Sequence, residues 1–206
     1  MKCLLLFLIA VQVVCVRTAM AEDKYVLSNT VFAPVPFPFE FIEHNALVKN
    51  VSFAPINALV AQIEAREGVQ LQDRGEAHLT ILTPPEIMGE SASSQRGINY
   101  LISLDELFAK FSPSVQYLDM RVICLGRNRK GNHTAYYLVV ESPEVMALRR
   151  EVQAELVRRA TFSGGEVRFG ATDGYWPHIT IGFVGGDVHG VSKGRETCIG
   201  EIEMES

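Results

Sequence analysis

His78-Leu79-Thr80-Ile81 and His178-Ile179-Thr180-Ile181 repeat one pattern, His-x-Thr followed by an apolar residue, 100 positions apart in a chain of 206 residues. They take two of only five histidines. In a strand, residues i and i+2 face the same side, so each run presents an imidazole and a hydroxyl together while Leu79, Ile81, Ile179 and Ile181 turn to the other side. Either run alone is a weak signal, because threonine is a good strand former and a lone strand histidine is more often structural. The repetition gives the pair its weight.

The surroundings of the two runs repeat as well. Residues 47–53 read as a strand, and Ala54-Pro55 opens a helix in which Ile56, Leu59, Val60 and Ile63 fall at i, i+3, i+4 and i+7. That helix ends near Glu67-Gly68, and residues 77–82 form the strand bearing the first run, stopped by Thr83-Pro84-Pro85. In the second half, residues 135–141 read as a strand, and Ser142-Pro143-Glu144 starts a helix with serine as cap and proline in the first turn. Its buried stripe is Val145, Leu148, Val152 and Leu156, Gly164-Gly165 breaks it, and residues 176–184 carry the second run. Each His-x-Thr run therefore lies on the second strand of a strand-helix-strand unit. The expected fold is α+β and bilobal, with two pseudo-symmetric units and antiparallel sheets around a central cleft.

Other segments are less informative. Val35-Pro36-Phe37-Pro38-Phe39 reads as an extended arm, because its prolines suit neither a helix interior nor a central strand. Residues 103–110 read as a short capped helix, residues 117–126 as a strand, residues 127–132 as a basic turn, and residues 91–97 as a small polar loop.

Residues 1–21 combine a basic Lys2, an apolar run over residues 3–16 and the small-x-small triplet Ala19-Met20-Ala21, the pattern of a secretory signal peptide. The run is too short to span a bilayer as a helix. A secreted, single-domain protein over residues 22–206 is expected, its lobes built roughly from residues 22–90 with 165–190 and from residues 95–160. Loss of Lys2 and Arg17 takes the formal net charge from −5 to −7. An acidic chain is poorly suited to gripping long nucleic acid through counterion release, which favours a small ligand or a strand end.

Beyond the leader two cysteines remain, Cys124 and Cys198, and both a single bridge and two buried thiols stay open. Asn50-Val51-Ser52 and Asn132-His133-Thr134 have the form of glycan acceptor sites in a secretory route. His44, His133 and His189 lack ligand spacing with any other His, Cys or carboxylate, so neither a metal nor another cofactor is expected.

Two imidazoles and two hydroxyls in one cleft suit phosphodiester chemistry. One neutral imidazole takes a proton while the other, protonated, gives one to the departing oxygen, and histidine can do both near neutral pH. The threonine hydroxyls can donate to non-bridging phosphate oxygens as charge builds. Tyr175 and Trp176 are candidates for stacking a base, and Arg127, Arg129, Lys130, Arg121 and Arg168 for a phosphate contact.

On the two His-x-Thr runs and the units around them, roughly residues 47–184, the chain resembles the 2H phosphoesterase superfamily, which includes 2',5' RNA ligase-like proteins and 2',3'-cyclic nucleotide phosphodiesterases. The resemblance implies His78 and His178 as the catalytic pair, Thr80 and Thr180 as phosphate-binding groups, and metal-independent opening or hydrolysis of cyclic phosphates or of 2',5'- or 3',5'-linked ends. The leader departs from the mostly intracellular, RNA-processing members. The expectation is a secreted monomer acting on small nucleotides or short RNA ends, with no membrane partner once the leader is removed. The alternative is a module that binds a phosphorylated nucleotide ligand without turning it over. Pseudo-symmetry leaves the base and the acid unassigned.

Overall fold

Ten strands and four α-helices follow one another in the computed structural model, which describes residues 23–36, 39–42, 46–90, 95–115, 118–163, 169 and 174–206. In chain order they are β1 (Asp23–Ser28), β2 (Phe39–Ile42), β3 (Ala46–Asn50), α1 (Phe53–Glu67), β4 (His78–Leu82), α2 (Pro84–Met88), β5 (Gly89–Glu90), β6 (Gln95–Arg96), α3 (Leu104–Val115), β7 (Arg121–Lys130), β8 (His133–Glu141), α4 (Pro143–Ser163), β9 (His178–Val184) and β10 (Cys198–Glu205). The signal-peptide segment, the Gly164-Gly165 helix break and residues 91–94 at the start of the 91–97 loop lie outside the described residues.

Eight strands form one sheet in the order β1-β10-β7-β8-β9-β4-β3-β2, and β5 pairs with β6 apart from it. The α+β class expected from sequence is the class observed. The two strand-helix-strand units share this sheet, joined where β4 meets β9. All its neighbours are antiparallel except β1 and β10, which run parallel with Asp23 opposite Gly200 and Ser28 opposite Glu205. Antiparallel pairing is expected for hairpin-connected strands, and β1 and β10 come from opposite ends of the chain, so no short turn fixes their direction.

The alternation read from sequence holds through the middle of the sheet. Leu79, Ile81, Ile179 and Ile181 enter one apolar core with Ile56, Leu59 and Ile63 of α1 and with Val145, Leu148, Val152 and Leu156 of α4. Each such side chain contributes roughly 1.5–3 kcal/mol on leaving water, so the two helices are held to one face of the sheet by their stripes. Among the described residues, a small cluster of Cys124, Ala135, Tyr137, Val139 and Val188 lies on the opposite face. This is the face to which alternation turns both histidines.

Several boundaries differ from the sequence reading. Phe53 opens α1 instead of closing β3. Thr83-Pro84-Pro85 ends β4 and also starts α2, with Thr83 and Glu86 closing a capping box and proline in the first turn. Of the proline-rich arm, Phe37 and Pro38 lie outside the described residues, and Phe39 opens β2, a strand at the sheet edge. The basic turn is shorter than expected, because β7 runs through Lys130 and pairs it with His133. Of the two glycan sequons, Asn132 is exposed at this hairpin tip, whereas Asn50 lies in β3 and its side-chain amide donates to Glu40 at 2.6 Å.

Cys124 of β7 and Cys198 of β10 are joined by a disulfide, the first of the two arrangements left open by the sequence. It fastens neighbouring strands whose register shifts between Cys198 and Gly200.

Candidate active site

β4 and β9 meet in register at one pair, Leu79 opposite Ile179. One step either way along an antiparallel pair sets His78 across from Thr180 and Thr80 across from His178, with all four on the face away from α1 and α4. Each histidine therefore has two threonines beside it, its own at i+2 and the other run's directly opposite. The four sequence-predicted groups are brought together by one local two-fold relationship.

Their surroundings break that symmetry. Nδ1 of His178 lies 2.8 Å from the carbonyl oxygen of Trp176. A carbonyl only accepts, so Nδ1 carries the hydrogen and Nε2 is the acceptor of the neutral ring. The Tyr137 ring meets the His178 ring edge-on, with centroids 5.8 Å apart and planes at 68°. Nζ of Lys193, whose side chain is only 8 % exposed, stands 5.3 Å from the Tyr137 centroid. Burial and then the Lys193 charge push His178 down to about 4, against the opposing pull of Asp187 and of the Trp176 carbonyl.

His78 has a different neighbourhood. Its Nδ1 lies 3.5 Å from Glu76 Oε1, an ion-pair distance, without the geometry of a hydrogen bond. Burial lowers its pKa, Arg74 lowers it further, and the carboxylates of Glu76, Glu40 and Asp187 oppose them. Carboxylates thus gather on the His78 side and a buried ammonium on the His178 side. Beside the seam, Arg74, Glu76, His78 and Thr180 line an open cavity.

The position of Thr80 is fixed from behind the sheet. Tyr175 donates its hydroxyl to the Thr80 carbonyl at 2.6 Å. The guanidinium of Arg149, a fully buried side chain on α4, lies 3.7 Å from the Tyr175 centroid. Arg149 also donates to the Ile81 carbonyl and pairs with Glu86 at 2.6 Å. The end of β4 is therefore tied to α2, α4 and the segment before β9. Tyr175 has its hydroxyl engaged and one ring face covered, which makes it a support for β4 and distinguishes it from the base-stacking role considered above. Trp176 is 40 % exposed and packs beside Gly194.

The secondary basic candidates are mostly engaged elsewhere. Arg127 pairs with Glu67 at 2.5 Å, Arg121 pairs with Glu141, and Lys130 donates to the His189 carbonyl at 3.3 Å. Arg168 lies outside the described residues. Among the described residues no three His, Cys, Asp or Glu side chains gather as a metal-binding group, and no helix is long and apolar enough to cross a membrane.

A family model for the 2H phosphoesterase domain, described as Swiss Army Knife, matches residues 48–189, more than half of the chain. The chain belongs to this 2H phosphoesterase family. The matched residues contain both His-x-Thr runs and, apart from the first two residues of β3, both strand-helix-strand units, and they identify a phosphoesterase domain. No curated protein and no solved structure matches the chain.

Three charged residues near the seam carry no signal in the sequence reading, two inside the matched residues 48–189 and Lys193 just beyond them. Arg74, Asp187 and Lys193 carry no motif, and the first two are 113 positions apart. The only sequence signal near them is Gly185-Gly186 directly before Asp187. Gly186 has φ +156°, and a Cβ there would come within 2.4 Å of the His133 ring. The positive φ favours glycine here, where the chain leaves β9.

Proposed function

We propose that this 2H domain is a metal-independent phosphodiesterase in which His178 is the general base and His78 the general acid. The observation that carries the reading is the hydrogen bond from His178 Nδ1 to the Trp176 carbonyl. It fixes the tautomer with a free lone pair on Nε2, the form a base needs. A depressed pKa keeps that lone pair available at neutral pH. His78, beside Glu76, is the ring better supported as an imidazolium, and a bound phosphodiester anion between the rings stabilises its proton further.

The reaction is written for a 2',3'-cyclic phosphate. Nε2 of His178 takes a proton from water as the water oxygen forms a bond to phosphorus. The phosphorus bond to one ribose oxygen breaks, and His78 gives that oxygen its proton, leaving a phosphomonoester and a free hydroxyl. Thr80 and Thr180 donate to the non-bridging oxygens, whose negative charge grows in the transition state. The same groups suit 2',5'- and 3',5'-linked ends, where the leaving oxygen belongs to the neighbouring nucleotide.

The substrate is small, a nucleotide or a short RNA end, in keeping with an acidic chain. Secretion of a monomer is part of the proposal, supported by the leader pattern of residues 1–21 and by the Cys124–Cys198 disulfide, which persists in an oxidising compartment. The test is incubation of the protein from residue 22 onward with a panel of 2',3'-cyclic nucleotides and 2',5'- and 3',5'-linked dinucleotides, with and without EDTA. The double variant His78→Ala/His178→Ala is the control. Turnover that survives EDTA and vanishes in the double variant supports the reading. Binding of a panel member with no product overturns it in favour of a non-catalytic module.

A further inference from the structure

Asp187 joins two cations from distant parts of the chain. Its Oδ2 lies 2.8 Å from Arg74 and its Oδ1 lies 3.7 Å from Nζ of Lys193. Arg74 lines the cavity with His78 and Thr180, and Lys193 stands over Tyr137, the ring that packs edge-on against His178. The two cations therefore flank the seam, one beside each histidine. Their carboxylate partner is itself only 9 % exposed.

The backbone accounts for the meeting. Gln72 exchanges two hydrogen bonds with Phe183 near the end of β9, at 2.8 and 2.9 Å, which carries the segment before β4, with Arg74, alongside β9. Gly185 and Gly186 then turn the chain to bring Asp187 to Arg74. Lys193 lies beyond residues 48–189, the part that the family model matches, so this arm of the arrangement is supplied by the chain outside the matched domain.

A buried lysine is costly unless its charge is used. Burial lowers the Lys193 pKa, and Asp187 is the group that opposes the loss of its proton. Asp187 thus joins both cations, with His189 3.6 Å from the same carboxylate and with Asp73 and Glu76 lining the cavity beside Arg74. An anion with several oxygens is the ligand that can take the guanidinium on one side and the ammonium on the other.

We propose that Asp187 is a positioning residue that holds Arg74 and Lys193 as a two-sided clamp for the phosphoryl oxygens of the substrate. The clamp rests on the phosphodiesterase reading for its substrate, but its existence can be measured without turnover. Asp187 touches no substrate atom and acts only through the two cations it orients.

The experiment uses inorganic phosphate as the probe, with affinity measured by calorimetry on the wild type, Asp187→Asn, Arg74→Gln, Lys193→Gln and Lys193→Arg. The pKa of His178 is followed in the same proteins by NMR. Removing a carboxylate from fixed surroundings must strengthen anion binding and lower the His178 pKa, because one negative charge is lost. Positioning has the opposite sign. Asp187→Asn is expected to weaken phosphate binding about tenfold and to raise the His178 pKa, because Lys193 moves away from it. His78 and Asp187 are the other charged or titratable groups that act on His178, and the Lys193→Gln protein shows the shift due to the ammonium alone.

Lys193→Arg is expected to keep most of the affinity. Arg74 is half exposed, so Arg74→Gln remains a usable folded variant should Asp187→Asn not fold, and it is expected to lose affinity to a similar degree. Unchanged or tighter phosphate binding in Asp187→Asn, or in both Arg74→Gln and Lys193→Gln, overturns the clamp, as does a wild type that does not bind phosphate. Phosphate binding that weakens as described while no panel substrate turns over sinks the phosphodiesterase reading and leaves the clamp standing.

Discussion

Thr80 stands across the seam from His178, because β4 and β9 are in register at Leu79 and Ile179. The same pair sets Thr180 across from His78, so each threonine stands beside a histidine of the other run as well as its own. The expected consequence is graded loss. His78→Ala and His178→Ala each cost several orders of magnitude in kcat/KM, and the double variant costs little more than either single one, since the two rings act as a unit. Thr80→Val and Thr180→Val cost roughly 10- to 1000-fold. Steady-state kinetics on any active panel substrate, with melting curves as the folding control, check this.

The pH profile has a predictable side. The proposed reaction needs His178 without its proton and His78 with one. Activity is gained as pH rises through the His178 value, pushed down to about 4, and lost as pH rises through the His78 value, which lies below the ordinary histidine value of about 6.5. A plot of kcat/KM against pH is therefore a bell with its maximum on the acid side of neutrality.

Stability carries the same signature. The unfolded His178, near 6.5, binds a proton more readily than the folded one, so the unfolded state takes up more protons between about 6.5 and 4. Stability from this group is fully present above that window and falls as pH drops through it. His178→Gln is expected to flatten the acid side of a plot of melting temperature against pH, read by calorimetry.

Arg149 is the support most exposed to substitution. Its removal leaves Glu86 without its cation, the Ile81 carbonyl without this donor and Tyr175 without its ring contact. Arg149→Met is expected to cost about 3–5 kcal/mol, because one member of a buried ion pair is left behind. Tyr175→Phe keeps the ring and loses the bond to Thr80, so a cost of about 1 kcal/mol is expected, with a larger effect on kcat than on KM. Urea unfolding and kinetics separate the two.

Reduction of the Cys124–Cys198 bridge frees a loop with a sequence separation of 74. Chain entropy alone assigns such a crosslink about 4 kcal/mol. A marked fall in the urea midpoint under reducing agent is expected, without a change in the pH profile, because β8 stands between the disulfide-bearing strands and the β4–β9 seam.

Much of this was readable before any coordinates. The helix stripes of α1 and α4 and the alternation through residues 79–81 and 179–181 follow from period alone, and they dictate which face the histidines take. Long-range charge was not readable. Arg149, Asp187 and Lys193 look like ordinary surface residues in a string, and only the meeting of α4 with β4, and of the residue 72–74 segment with the turn after β9, makes them buried or paired. β1 was missed because its partner β10 lies at the other end of the chain. The asymmetry between the histidines was hidden for a similar reason, since one depends on a backbone carbonyl and the other on Glu76, neither of which belongs to the repeated motif.

The division of labour between the two rings is tested most directly with a nucleoside p-nitrophenyl phosphodiester, whose leaving group departs without a proton. Its kcat/KM in His78→Ala and His178→Ala is compared with that of an alkyl-leaving dinucleotide. The account predicts that the loss in His78→Ala nearly disappears with the p-nitrophenyl substrate, whereas the loss in His178→Ala persists with both. Rescue of His178→Ala in place of His78→Ala, or equal losses on both substrates, contradicts it.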